Sequence, residues 1–483
     1  MREKDKDMEK IIAAFQTLGC KTNHYETDAI RMQFQNAGFE TVSFSQDADV
    51  YVLNTCTVTG EADRKTKQYL RRAKNNHPKA VLVALGCAVE LGNGHNGIDI
   101  QLGTFRKKEA LSEVIDYIVK SKPDLAKKLR KDLVDKTRSE QRLKSADWFG
   151  TENTEDRQSS AKAGHLTDSA LTSAYDEWGS VDRQNETRAH IKIEDGCDYA
   201  CSYCAIPLAR GSVRSRLPHY ILAEAAALAK AGYKEIVLTG IHICSYGRDW
   251  QKPGEHLMRL ALDLSEIAGI DRIRLGSLEP RFISDEWINL AKKNKKLCPH
   301  FHLSLQSGSD TVLARMNRRY DTGTYARVVT LLRQSFDDPA LTTDIITGFP
   351  GETKQEHEDS LAFCKSLGFS RMHVFKYSRR SGTAAAAMSG QVAPQVISQR
   401  SREMGDLARK MMTEYHQRQI GKHLRIILEK QVSEHIYTGY SDQYIPVRVN
   451  VSDTCKPGSL VTAKAARIDE NCVICGNAIC LNP

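Results

Sequence analysis

Cys197, Cys201 and Cys204 are spaced C-x3-C-x2-C in the short segment DGCDYACSYC, Asp195–Cys204. Thiolates so placed can hold three irons of a 4Fe-4S cluster and leave the fourth iron without a protein ligand. A ferredoxin-type electron carrier instead closes its cluster with four cysteines, so an open iron implies that something else binds there. Structural zinc wants four ligands, commonly in paired C-x2-4-C units, and no fourth Cys or His lies close by in sequence. Zinc and inert thiols are the competing readings.

A second set is spread over the first hundred residues. Cys20 follows the apolar run IIAAFQTL (Ile11–Leu18), Cys56 follows VYVL (Val50–Leu53), and Cys87 follows AVLVAL (Ala80–Leu85). Such runs read as buried strands. The stretches between them, Tyr25–Ala37 and Ala62–Asn75, read as helices. This alternation predicts a doubly wound parallel sheet, whose sites lie at the carboxyl ends of the strands. Cys20, Cys56 and Cys87 all fall there, two of them after glycine. Free cysteines are otherwise often small buried hydrophobes, which is the alternative for this set.

The elements around the first motif repeat the α/β pattern. Strands are expected at Ala189–Ile193, Glu235–Leu238, Arg272–Leu275, His300–Leu305, Thr342–Ile346 and Arg371–Phe375. Helices are expected near Pro218–Ala231, His256–Ile267, Ser284–Lys293, Ser309–Arg315 and Lys354–Leu367. Six βα units suit a partial barrel, with its site at the carboxyl face. Pro394–Ile420 reads as a charged helix. Beyond Gly421, short alternating runs punctuated by Lys456-Pro457-Gly458 predict a small β-barrel. The expected domains are 8–120, a linker or insertion over 121–185, the core over 186–420, the small barrel over 421–468 and a cysteine-containing tail over 469–483. Residues 106–147 carry 13 Lys/Arg against 8 Asp/Glu, and 148–183 reverse this to 3 against 7. The second of these stretches is polar and apolar-poor, as linkers are.

The 483-residue chain carries a net charge of +9 and 13 cysteines. No secretory signal or spanning segment is visible, so a reducing cytoplasmic setting and no membrane partner are expected. The basic balance permits phosphate contacts without requiring them. The small barrel carries 7 Lys/Arg against 4 Asp/Glu over 421–468, a balance that by itself leaves RNA and other partners equally open.

The C-x3-C-x2-C spacing, with Tyr203 before its last cysteine, resembles the cluster motif of radical S-adenosylmethionine (radical SAM) enzymes. More specifically, LGCKTNHYET (Leu18–Thr27), NTCTVTGEADRK (Asn54–Lys65), LGCAVE (Leu85–Glu90) and KIEDGCDYACSYCAIPLARGSVRSR (Lys192–Arg216) resemble the methylthiotransferases. So do LTGIHICSYG (Leu238–Gly247), RLGSLEP (Arg274–Pro280), HLSLQSGSD (His302–Asp310), DIITGFPGET (Asp344–Thr353) and YSRRSGTAAAAM (Tyr377–Met388). The resemblance covers nearly everything outside about 120–185, a connection usually shorter in the family. LGCKTNHYET and LTGIHICSYG look most like the branch acting on N6-threonylcarbamoyladenosine in tRNA. The residues after 421 resemble a TRAM domain, an RNA-binding barrel.

The resemblance implies a radical SAM core and two 4Fe-4S clusters, with SAM as cofactor. Cys197, Cys201 and Cys204 would hold the SAM-splitting cluster, and Cys20, Cys56 and Cys87 an auxiliary cluster bearing the sulfur to be inserted. A SAM-derived radical would then open the C2–H bond of an adenine in the tRNA anticodon loop. An electron donor such as flavodoxin or ferredoxin is implied. Arg210, Arg214 or Arg216 could hold the SAM carboxylate or a substrate phosphate, since arginine offers a fixed fork of donors. Glu279 and Gln306 (Gln306-Ser307-Gly308) could meet SAM's ribose or amino group, or act as caps. Asp344 is undecided, and Gly348–Gly351 reads first as a tight turn. Cys244, Cys298, Cys364 and Cys455 are expected to be packing residues, and Cys472, Cys475 and Cys480 an incidental tail. The histidines form no ligand spacing. The competing functions are the same chemistry on isopentenyladenosine, methylthiolation of a ribosomal-protein aspartate, and a non-catalytic RNA-binding redox sensor.

Overall fold

The computed structural model describes residues 10–57, 60–92, 97–129, 174–184, 186–250, 255–451, 455–469 and 472–480. Most of the linker expected over 121–185 therefore lies outside the described residues. The chain divides into two compact units, one of residues 1–173 with Leu208–Gly211, the other of Ala174–Pro207 with Ser212–Pro483.

The first unit is built on a parallel sheet. Its strands are β1 (Ile12–Thr17), β2 (Glu40–Ser43), β3 (Val50–Thr55), β4 (Val81–Gly86) and β5 (Ile100–Leu102), in the order β2-β1-β3-β4-β5. All four pairings are parallel. Every residue of β3 and β4 is buried, which explains their continuous apolar runs. Helices α1 (Lys21–Asn36) and α2 (Gly60–Asn76) supply crossovers. β2 and β5 are edge strands without an apolar run, and the sequence did not reveal them.

In the second unit, β6 (Ala189–Lys192), β7 (Glu235–Thr239) and β8 (Arg272–Leu275) form one parallel sheet. The short strand Ser277–Leu278 pairs with β9 (His300–Leu303), which continues through β10 (Ala340–Thr347) to β11 (Arg371–Lys376), again all parallel. Chain order and spatial order coincide, as a partial (βα)6 barrel requires. Ile191, Ile236, Leu238, Ile273, Leu275, Phe301, Leu303, Leu341 and Ile345 pack outward in the main hydrophobic core. The alternating positions, which carry most of the barrel's polar side chains, face the other way. One helix absent from the sequence reading, Thr322–Ser335, lies between β9 and β10, capped by Asp321, whose side chain accepts from Thr324 N.

The C-terminal strands are β12 (His423–Ser433), β13 (Ile436–Ser441), β14 (Pro446–Asn450), β15 (Leu460–Asp469) and β16 (Cys472–Asn477). Pairing runs β12-β13-β14-β16-β15 and returns to β12, so the barrel closes. This corrects the boundary at 468: β16 pairs with both β14 and β15, and Cys475 packs in the barrel core. The side chains of Cys472 and Cys480 lie outside the described residues. The barrel's β13–β14 turn is seated on the core, where Arg272 Nη2 donates to Ser441 O (2.7 Å) and Arg274 Nη1 to Asp442 O (2.8 Å). Arg188 stacks on both Tyr440 and Tyr444.

Candidate functional site

Cys20, Cys56 and Cys87 stand at the carboxyl ends of three neighbouring strands. In register, Thr17 faces Asn54 and Thr55 faces Gly86. The strand order reverses between β1 and β3, the switch point at which such sheets bind ligands. Gly19 (φ +97°) is tight against the next turn, for a Cβ there would sit 2.3 Å from Cys56 Sγ. Only glycine tolerates both the left-handed backbone and that approach. Thr55 Oγ1 donates to Leu85 O (2.6 Å) and accepts from Ala88 N (3.3 Å), tying the Cys56 and Cys87 turns together. Asn23 Nδ2 donates to both Leu18 O and Thr55 O at 2.9 Å, which joins the Cys20 turn to the Cys56 turn. The three cysteines are free thiols, two buried and Cys20 half-buried.

Behind this arrangement lies a buried charge network. Glu26 accepts from Lys107 Nζ (2.5 Å) and Arg210 Nη1 (2.8 Å), and Asn23 Oδ1 accepts from both cations. Arg210 is fully buried. It therefore serves Glu26, not an external anion.

In the second unit the Asp195–Cys204 loop is pinned by backbone contacts. Ser202 N donates to Met316 O (3.0 Å), Ala385 N to Ser202 O (2.7 Å), and Asn317 Nδ2 to Ala200 O (2.7 Å). Lys192 Nζ holds Asp195 at 2.6 Å. Cys197, Cys201 and Cys204 are half-buried free thiols. Burial pushes Cys197 up to about 12 and Cys204 up to about 11, so a cation must be supplied for them to act as thiolates. Cys364, a packing residue, is raised to about 12 by burial too, and Cys244 also accepts an N–H, from Glu279 N (3.3 Å), so the spacing on one loop and the cationic donor are what mark the motif. Arg318 Nη1 donates to Cys201 Sγ (3.2 Å) and Ile206 N to Cys204 Sγ (3.5 Å). Three thiols on one pinned loop, two of them accepting N–H donors and with no fourth cysteine beside them, fit an open iron–sulfur cluster.

Arg214 and Arg216 are engaged inside the protein. Arg216 is buried against Glu177 (2.8 Å from Nε) and Glu224, and Arg214 lies 3.6 Å from Asp195 and donates to Ser212 O. The anion-binding role expected from their proximity to the motif is replaced by these internal pairs. Glu279 is buried beside the cluster loop. Burial opposes its charge, but His242, Arg318 and Arg281 outweigh that and hold it down at about 2. It is thus an ionised anchor for Arg318. Gln306 has φ +71°, a conformation uncommon outside glycine and often found at functional sites. Its backbone bridges to β10 through Asp344 O and Ile346 N.

Sequence reasoning missed two groupings. His302, Asp344 and His373, on β9, β10 and β11, place one ligand atom each within 4.8 Å of one another. His302 Nε2 lies 3.2 Å from Asp344 and its Nδ1 2.9 Å from Thr342 Oγ1. Their alternation on adjacent strands was readable, but their convergence needed the register. The other grouping, around Tyr199, comes from four separate loops.

Two family models match the chain: Radical SAM superfamily over residues 191–364, and Uncharacterized protein family UPF0004 over residues 12–96. The Threonylcarbamoyladenosine tRNA methylthiotransferase MtaB of Bacillus subtilis is 36% identical over 442 residues, covering 90% of this chain and 89% of the relative. The chain belongs to the radical SAM tRNA methylthiotransferase family. The MtaB protein of Thermotoga maritima is 32% identical, covering 89% of each chain. A tRNA-2-methylthio-N(6)-dimethylallyladenosine synthase of Acetivibrio thermocellus is 29% identical, covering 91% of this chain and 85% of that one. Family membership brings two 4Fe-4S clusters and SAM as cofactors. Among the described residues, no helix is long and apolar enough to cross a membrane.

Proposed function

We propose that this chain is a cytoplasmic methylthiotransferase that adds a methylthio group to C2 of N6-threonylcarbamoyladenosine beside the tRNA anticodon. The observation that carries the reading is the occurrence of two three-cysteine sets, each on a prepared scaffold, in a chain 36% identical to an MtaB protein. Cys197, Cys201 and Cys204 would hold the SAM-binding cluster, and Cys20, Cys56 and Cys87 the auxiliary one. When bound, these groups supply reductive SAM cleavage, C–H activation and the sulfur that is transferred.

The chain's own residues prepare this chemistry. Arg318 donates to Cys201 Sγ and compensates thiolate charge, while Glu279 fixes the Arg318 fork. Gln306 or Glu279 would meet the ribose or amino group of SAM. The closed C-terminal barrel, basic over 421–468, would contact the RNA backbone, and the target base must leave its stack to be reached. Anticodon loops offer such bases. A small flavoprotein or ferredoxin would deliver the electron.

Nucleoside mass spectrometry of tRNA from a strain lacking the gene tests the substrate. Loss of the methylthio mark from threonylcarbamoyladenosine is expected. Its persistence, with loss from isopentenyladenosine, would overturn the assignment.

A further inference from the structure

Tyr199 lies inside the cluster loop, between Cys197 and Cys201, and is buried. Three guanidinium groups surround its ring, Arg281 at 4.8 Å, Arg319 at 5.3 Å and Arg248 at 5.8 Å from the centroid. Arg248 Nη1 (2.6 Å) and Arg281 Nη2 both donate to the Tyr199 hydroxyl. Phe282 and His242 complete an aromatic platform, with Arg281 4.7 Å from the Phe282 ring. These residues come from loops that follow successive barrel strands β6, β7, β8 and β9, so the group lies on the carboxyl side of the barrel, where such folds place their sites.

The charge does not balance. Of the guanidiniums Arg248, Arg281, Arg318 and Arg319, only Arg281 and Arg318 pair with the carboxylate of Glu279, which His242 also contacts. Among the described residues, neither Arg248 nor Arg319 has a carboxylate partner, and both are exposed. Guanidinium forks fixed against aromatic rings lose little freedom on meeting a planar anion and bind it bidentately. The platform beside them can take the face of a base.

We infer that Arg248 and Arg319, with Tyr199 as their support, bind the free carboxylate carried by the substrate base's side chain and so determine which modified adenosine is accepted. This rests on the function proposed above. A threonylcarbamoyl group carries a carboxylate; an isopentenyl group has no charge to offer. A fixed guanidinium fork that pairs with a substrate carboxylate favours that substrate over an analogue lacking the charge, because the bidentate pairing is then lost.

The test is anaerobic methylthiolation of an anticodon stem–loop RNA bearing threonylcarbamoyladenosine, beside the same RNA bearing the methyl ester of that carboxylate. The holoenzyme is expected to prefer the acid by roughly tenfold or more in kcat/KM. Arg248→Gln/Arg319→Gln, checked for full iron content, is expected to lose most of that preference by losing rate on the acid alone. Arg319→Lys, which keeps the charge but not the fork, is expected to restore part of it. An undiminished preference in the double variant would overturn the inference. Equal losses on acid and ester would assign the arginines to RNA phosphate, and a fall in RNA-independent 5′-deoxyadenosine formation would assign them to the SAM carboxylate; either result overturns it. If wild-type enzyme modified isopentenyladenosine RNA and neither of these substrates, the function proposed above would itself fail.

Discussion

Arg318 Nη1 lies 3.2 Å from Cys201 Sγ, the closest approach of a cation to the C-x3-C-x2-C motif among the contacts described. Its second arm reaches Glu279, 3.5 Å away. A donor to a ligating sulfur tunes cluster potential and cluster retention. Arg318→Ala should shift the SAM-cleaving cluster to a more negative potential and lower 5′-deoxyadenosine formation by ~10- to 100-fold. Potentiometry followed by electron paramagnetic resonance checks the shift. An unchanged potential would reduce Arg318 to a packing role.

The first unit depends on Gly19 for its cysteine geometry. Gly19→Ala forces a side chain into φ +97° and against Cys56. The left-handed conformation alone costs about 1–2 kcal/mol, and the collision adds to it. The variant should keep SAM cleavage but lose methylthiolation, with iron content reduced towards that of a single cluster. Iron analysis and product assays on one preparation decide this.

Glu26 compensates two buried cations, Lys107 and Arg210. Removing one partner of a buried pair strands the other charge, typically at about 3–5 kcal/mol. Glu26→Ala should therefore destabilise the first unit by roughly that amount, measurable by denaturant unfolding. Glu26→Gln, which retains hydrogen bonding, should cost less.

Glu235 provides a pH test. Burial raises its pKa, but Arg272, Arg274 and Arg188 outweigh this and bring it to about 2, from an ordinary 4.5. A depressed carboxyl contributes stability above its unfolded value and loses it as pH falls towards the folded one. Stability of the wild type should thus decline as pH drops below about 4.5, towards 2. Glu235→Gln should be destabilised by about 3–5 kcal/mol at neutrality and show less of this acid decline. Urea midpoints across that range measure both.

The readable part of this molecule was whatever a local pattern encodes. The strand at Arg272–Leu275 and the helix at Lys354–Leu367 have the limits that their apolar spacing and, for the helix, the Thr353–Glu356 capping box indicate. The cysteines declared themselves because three equivalent strand ends carried them. β16 was illegible because Cys472–Asn477 is short and lies next to residues with no strand signature, gaining its place only by pairing with β14 and β15. Arg214 and Arg216 misled because sequence proximity to the motif says nothing about Glu177 or Glu224, which absorb Arg216. Arg318, far along the chain, reaches Cys201 only because the segment after the helix Asp310–Arg315 folds back onto the cluster loop.

Mössbauer spectroscopy of the intact chain, purified anaerobically with iron-57, tests the central claim most directly. Two 4Fe-4S clusters are expected, with addition of SAM altering one iron site of one cluster, and that response lost in Cys201→Ala while the other cluster remains. A single cluster in the intact protein, or zinc in place of iron, would contradict the account.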